Sequence, residues 1–436
     1  MKKLKQRLEQ NVVKLGAVSF LTDVSSEMIF PLLPLFLSSV LGAPAAVIGL
    51  IEGIAESTAN VLKLFSGWLS DRLGKRKPFV VAGYGLSCVA KPFFAVANTW
   101  PFVLGVRFFD RVGKGIRVTA RDVMVADYTT EANRGYAFGF RKAMDSLGAV
   151  IGPLLAFALL SLLLASMSVD AAYRTVFWLA SIPAFMALAI VLTVREKKRV
   201  ARPATQPKIG FAVLRANKLF RLNLAIAFLF GLGNFSYAFF VLRAQDAAFT
   251  AVAVTLAYAA YNAVYALAAI PAGRLSDKIG RTKVIALGYA LFGVACLGFG
   301  LASSAPLVWA MFGLYGVFMA IFESVQRAFV SDLVEPGMRG TALGTYQFVV
   351  GVSALPASVA AGLLWDLPVF GVRATFVFAA ITSFAAAALS LALLEGRRQK
   401  VFLAGFFAHS WNSLMHCFLK KGKAGTSSLA LCSRRS

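Results

Sequence analysis

Two stretches decide the fold: Gly67-Trp-Leu-Ser-Asp71-Arg72-Leu-Gly74-Lys75-Arg76-Lys77 and Gly273-Arg-Leu-Ser-Asp277-Lys278-Ile-Gly280-Arg281-Thr-Lys283. Both read G-x-L-S-D-[RK]-x-G-[KR]-x-K, and each lies between two long apolar runs. A second pair repeats in the same order, Asp127-x6-Arg134-Gly135-x3-Gly139 and Asp332-x6-Arg339-Gly340-x3-Gly344. The chain is therefore duplicated, and both copies keep their charged landmarks between hydrophobic segments. Internal duplication of a helical bundle is the usual architecture of an alternating-access transporter.

Composition supports a membrane class. Of the 436 residues, 58% are hydrophobic and 15% charged, where soluble domains carry about 25% charged residues. Apolar runs of about 20 residues recur along almost the whole length, each long enough to cross about 30 Å of hydrocarbon. The net charge of +25 does not indicate nucleic acid, because Lys and Arg concentrate in alternate connections, as the positive-inside rule requires. The basic N-terminus is followed by no signal-peptide cleavage pattern. Cys88, Cys296, Cys417 and Cys432 have neither metal nor disulfide spacing, and no metal or other cofactor is expected.

The hydrophobic pattern predicts an all-α integral membrane protein of twelve transmembrane helices in two pseudo-symmetric six-helix halves. The first half, residues 1–194, holds spans near 15–41, 45–69, 78–97, 101–120, 136–165 and 172–194. Residues 195–221 form a basic linker. The second half, 222–396, holds spans near 222–244, 250–273, 284–303, 306–328, 341–365 and 374–394. The uncharged connections at 42–44, 98–100 and 304–305 are expected outside. The basic ones at 70–77, 195–221 and 274–283 are expected in the cytoplasm, together with both termini. From residue 397 the pattern fails: His409, His416, Cys417 and Cys432 fall in a stretch read as a disordered, atypical tail.

The Gly67–Lys77 stretch resembles the signature between spans 2 and 3 of the major facilitator superfamily, and Gly273–Lys283 matches its span 8–9 copy. The resemblance covers about residues 10–395. It implies two halves rocking about a central solute site. It also implies a cytoplasmic gate at Gly67, Asp71, Arg72, Gly74 and Arg76, repeated at Gly273, Asp277, Lys278, Gly280 and Arg281. An aspartate there can cap a helix N-terminus and pair with arginine, worth about 0.3–2 kcal/mol, and glycine suits the turn because it tolerates positive φ. Gly148-Ala-Val-Ile-Gly152-Pro153 resembles a span 5 motif associated with antiporters. The Asp110-Arg111-Val-Gly113-Lys114-Gly115-Ile-Arg117 run resembles a prokaryotic branch of the superfamily. It lacks the strand and the G-x4-G-K-[ST] spacing of a phosphate loop.

The chain's own chemistry lies in spans 1–4. Asp23 and Glu27 share one helix face, as do Glu52, Glu56, Asn60 and Lys63. Each charge at mid-bilayer costs about 2.5–3.5 kcal/mol, so four unpaired carboxylates would cost on the order of 10 kcal/mol. They must be protonated, paired or facing a wet cavity. Five acids (Asp23, Glu27, Glu52, Glu56, Asp110) balance five bases (Lys63, Lys91, Arg107, Arg111, Lys114). Depth along the spans predicts the pairs Asp23–Lys63 and Glu52 with Lys91 or Arg107. Glu27 and Glu56, near mid-span without an evident cation, are the expected proton carriers, since desolvation favours the protonated acid. The spans contain no histidine, so coupling to a proton gradient must use carboxylates.

The second half offers Asn234, Tyr261, Asn262, Tyr265 and Glu323 as cavity-lining residues, with Tyr258, Tyr261 and Tyr265 on one helical stripe and Glu323 within reach of Arg327. The reading is a monomeric transporter, not an enzyme, of the prokaryotic inner membrane. It moves a small solute through the bilayer, coupled to protons, with export favoured. Import of a polar metabolite or metal chelate, or a non-transporting sensor or scaffold, are the rival readings.

Overall fold

The computed structural model describes residues 9–73, 75–196, 218–247, 249–302, 304–335 and 338–395. Among them every regular element is helical and no strand occurs. Six long helices build the first half: α1 (Gln10–Val40), α2 (Ala45–Leu73), α3 (Lys77–Ala95), α4 (Trp100–Asp127), α5 (Glu131–Leu163) and α6 (Val169–Leu192). Six more build the second: α7 (Lys218–Asp246), α8 (Ala251–Ile279), α9 (Arg281–Leu301), α10 (Ala305–Asp332), α11 (Arg339–Trp365) and α12 (Gly371–Ala392). Eleven are long and apolar enough to cross a membrane. The exception is α4, which carries Arg107, Asp110, Arg111, Lys114, Arg117 and Arg121 along 28 residues.

Two helices are broken. In α1 the regular helix stops at Ile29 and resumes at Leu33, ending in a π-helical turn, Phe36–Val40. Pro31 and Pro34 are the cause, since proline removes a backbone donor and crowds the preceding turn. In α7 the break separates Lys218–Gly233 from Ala238–Asp246. Non-helical backbone at membrane depth is tolerated where protein or a cavity surrounds it. Here both breaks are buried, and the Tyr237 hydroxyl donates to the Phe30 carbonyl at 3.2 Å, joining them.

The predicted charged turns are shorter than the sequence suggests. Helix α2 continues to Leu73 and α8 to Ile279, so the G-x-L-S-D stretches are last helical turns. Leu, Ser, Asp and Arg can all continue a helix; the glycine after them can end it in a conformation other residues avoid. Gly280 does so with φ +99°. Gly74 and the Asp71 side chain lie outside the described residues, as do linker positions 197–217 and the stretch from 396 onward that includes His409, His416, Cys417 and Cys432.

Small residues let the helices approach. A Cβ on Gly113 would come within 2.6 Å of the Gly83 carbonyl, and one on Gly115 within 2.6 Å of Leu62, so α4 lies hard against α3 and α2. Gly148 and Gly152 bring α5 against α1 at Asp23 and Glu27. Between the halves, α2 meets α11 from Ala45–Gly362 through Gly49–Ser358 and Gly53–Leu355 to Asn60–Gly351. The Ala46 N–H donates to Asp366 Oδ2 at 2.9 Å at the end of that seam. Close small-residue packing is what holds helices together where lipid removes the hydrophobic drive. Cys88 and Cys296 are buried free thiols.

Candidate functional site

Two stripes in register place the strongest ion pairs. Glu52 and Glu56 are one turn apart on α2, Arg107 and Arg111 one turn apart on α4, and the two helices pack side by side. Arg107 donates to Glu52 through Nε at 3.0 Å and a terminal nitrogen at 2.9 Å, a two-pronged pair in which both side chains are almost completely buried. One turn further, Arg111 meets Glu56 at 3.0 Å. Arg107 also lies 3.9 Å from Asp110. Both guanidiniums cover the Phe30 ring, at 4.5 and 4.8 Å from its centroid. A planar fork that binds a carboxylate with two donors and stacks on an aromatic is a property of arginine that lysine lacks.

Lys91, the other predicted partner of Glu52, is elsewhere. It is 2% exposed and donates to Ser25 Oγ at 2.6 Å, Ser26 Oγ at 3.1 Å and the Thr22 carbonyl at 3.5 Å. Hydroxyls of α1 thus solvate the ammonium. Two further expectations are overturned. Asp23 does not pair with Lys63, which donates to Asn60 Oδ1 at 2.8 Å. The charges around Asp23 are Asp145, Lys114, Arg121 and Lys142, because close α1–α5 packing turns Asp23 toward α5. Glu56 does have a cation, Arg111, because parallel packing in register matters more than depth counted from helix ends.

What remains is a set of charges without ion-pair partners among the described residues. Glu27 is half-buried, and its Oε2 has no hydrogen-bond partner. The Tyr258 hydroxyl from the opposite half faces the same carboxyl, with Asp23, Lys114 and Arg111 around it. Lys63, Lys114 and Lys142 come from α2, α4 and α5, and none forms an ion pair with a described residue. Lys142 donates to the Tyr265 hydroxyl of α8 at 3.1 Å and lies over its ring. Glu323 of α10 is held by Arg327 at 2.5 Å. These half-buried to exposed polar side chains come from helices of both halves.

The other cavity predictions divide. Tyr261 is buried in an aromatic ladder, 5.0 Å from Tyr315 and 5.4 Å from Tyr258, so it packs, while Tyr265 reaches across to α5. Asn262 is buried with an unpartnered Nδ2. Asn234 is half-buried at the α7 break. Sequence reading missed Phe30, Ser25, Ser26 and Lys142. The prolines after Phe30 and a lone lysine inside the span 5 pattern were the available signals.

At the charged turns, Arg76 meets Asp127 at 3.2 Å and Arg281 meets Asp332 at 2.7 Å. Both join a turn to the corresponding aspartate at the end of α4 or α10, although Arg281 matches Lys75 in the repeat and Arg76 stands one position further on. Asp277 is exposed, 3.8 Å from Arg281, and Lys278 and Arg72 are exposed. The Glu196 carboxylate accepts from the Arg76 and Lys77 N–H groups at 2.5 and 3.3 Å, capping α3. Gly67 allows α2 to touch Thr119 of α4, and Gly273 has open space around it.

Two six-helix halves, two broken helices joined through Tyr237 and Phe30, and a polar interior fit the class of secondary transporters. The sequence profile of the Major Facilitator Superfamily matches residues 15–244 and 224–416, and the chain belongs to that family. It is 37% identical over 368 residues to an uncharacterised MFS-type transporter of Methanocaldococcus jannaschii, covering 83% of this chain and 90% of that one. A multidrug resistance protein, MdtH, of Aeromonas hydrophila is 24% identical, over 80% of this chain and 86% of its own. Among solved structures, the nucleoside transporter NupG superposes with a TM-score of 0.70 at 14% identity, over 88% of this chain and 99% of that one. A bacterial homologue of the lysosomal transporter Spinster, inward-facing and occupied, gives 0.71 at 15% identity, over 87% and 95%. The chain is a multi-pass membrane protein and a secondary transporter of a solute, not an enzyme.

Proposed function

We propose that the chain is a monomeric, proton-coupled transporter of a small polar solute in a prokaryotic inner membrane, with Glu27 as the proton-carrying group. One observation supports this most: Glu27 is a half-buried carboxyl without an ion-pair partner among the described residues, and Tyr258 of the other half faces it. Glu52 and Glu56 are each tied to an arginine. A carboxylate locked to a guanidinium has little freedom to take up a proton, whereas an unpaired one exchanges charge as its surroundings open and close. Rocking the halves separates Tyr258 from Glu27 and changes that group's access to water. The basic turns favour a cytoplasmic position for the Gly67–Lys77 and Gly273–Lys283 ends. Export is the direction we propose, on the Gly148-x3-Gly152-Pro153 pattern and the similarity to a multidrug resistance protein.

The test uses proteoliposomes and a solute found by counterflow. Glu27→Gln should keep solute counterflow, which requires no net proton movement, and lose accumulation driven by a pH gradient. Unchanged gradient-driven accumulation in that variant would exclude Glu27 as the coupling group.

A further inference from the structure

Three lysines on helices of the first half, Lys63, Lys114 and Lys142, have no ion-pair partner among the described residues. Lys63 and Lys114 stand beside a tight α2–α4 contact, where a Cβ on Gly115 would come within 2.6 Å of Leu62 and Ser66 donates to the Gly115 carbonyl at 2.9 Å, and together with Lys142 they contribute to the field at Glu323 of α10. Glu323 itself is committed to Arg327 at 2.5 Å. Among the described residues, the Lys63 ammonium donates to the Asn60 amide oxygen and that of Lys142 to the Tyr265 hydroxyl. Lys114 has no hydrogen bond or ion pair among the described residues. The acids that would neutralise them are engaged: Glu56 with Arg111, Asp145 with Arg141 at 2.7 Å. Asp23 and Glu27 stand beside Lys114 but do not pair with it.

The local backbone is shaped for this. Gly113 and Gly115 seat α4 against α3 and α2, and Lys114 between them faces Asp23 and Glu56. Like charges gathered at membrane depth repel one another and cost insertion energy, so intramembrane lysines without partners mark a pathway or a ligand. With one proton on Glu27, the three lysines outnumber the single remaining free acid, Asp23. We infer that the solute is a small organic anion, bearing carboxylate or phosphate, whose anionic group is held by Lys114 together with Lys63 and Lys142. The inference rests on the transporter reading above, and names its substrate class.

Binding measured without any gradient separates this inference from proton coupling. Purified protein is titrated with succinate and glycerol 3-phosphate, and with their uncharged counterparts succinamide and glycerol, following the melting temperature at constant ionic strength. At least one anion should raise it saturably while the neutral pair does not. Lys114→Gln should weaken half-saturation about tenfold or more, the loss expected for one charged hydrogen bond. Lys142→Gln, at an exposed position that folding tolerates, should weaken it too. Lys14→Gln, which lies away from the interior, should leave it unchanged. Absence of any saturable anion effect in the unaltered protein overturns the inference, as does a half-saturation in both the Lys114 and Lys142 variants equal to that of the unaltered protein. Failure here with pH-driven flux intact removes the substrate class alone. An intact anion effect with flux insensitive to Glu27→Gln removes the coupling reading alone.

Discussion

The two halves of the molecule share a fold and a charged turn, yet their interiors are built from different materials. In the first half the buried centre is ionic: Glu52–Arg107, Glu56–Arg111 and Asp110, with Phe30 beneath both guanidiniums and Lys91 solvated by serines. In the second it is aromatic. Phe230 stacks on Tyr289 at 4.3 Å, Phe240 lies 4.6 Å from Tyr315 and 4.9 Å from Phe299, and Phe292 lies 4.7 Å from Phe318. Duplication supplied the same scaffold twice, and divergence put the titratable chemistry on one side of the seam. The opposite side supplies rings, hydroxyls and the Glu323–Arg327 ion pair. A rocking transporter needs both rigid halves and a polar path between them. Here the second half provides mostly rigid packing and the first provides mostly charge.

The contrast is open to direct attack. Arg107→Ala should have the largest effect, because it strands a buried Glu52 carboxylate; breaking one partner of such a pair costs about 3–5 kcal/mol. Thermal unfolding should show the loss, and adding Glu52→Ala should recover part of it by removing the orphaned charge. Phe230→Ala should cost a similar or slightly smaller amount, about 3–5 kcal/mol for an emptied aromatic site. Combining it with Arg107→Ala should be additive to within about 0.5 kcal/mol if the two interiors are independent. A large coupling between them would show that the halves share one core. The smallest effect is expected at the turns. Asp332→Asn weakens a partly exposed pair with Arg281, worth about 0–1 kcal/mol, so stability should hardly move while transport rate reports any change in gating.

Much of this was legible in the sequence. The repeated G-x-L-S-D motif and the apolar periods placed all twelve helices to within several residues, because helix length is dictated by bilayer thickness and each backbone must satisfy its own hydrogen bonds. The Glu52–Arg107 pair was among the predicted ones. The Asp23–Lys63 pair failed, and so did the unpaired status of Glu56. Counting depth from helix ends ignores which face of each helix meets which neighbour. Gly148 and Gly152 turn Asp23 toward α5, and Gly113 and Gly115 bring α4 close enough for Arg111 to claim Glu56.

By itself, the sequence determined the duplication, the class of membrane bundle and the inventory of charges that the interior must accommodate. Hydrophobic period and turn chemistry are local properties, and they act over the length of one helix. Only the tertiary structure decided who pairs with whom. Whether Glu56 is free or bound, and whether Glu27 and Lys114 find an ion-pair partner, depend on helix rotation and register. Those are set by where a missing Cβ permits two backbones to meet. The repeated turns establish the scaffold; glycine contacts between helices leave Glu27 and Lys114 among the charges without an ion-pair partner in the described residues.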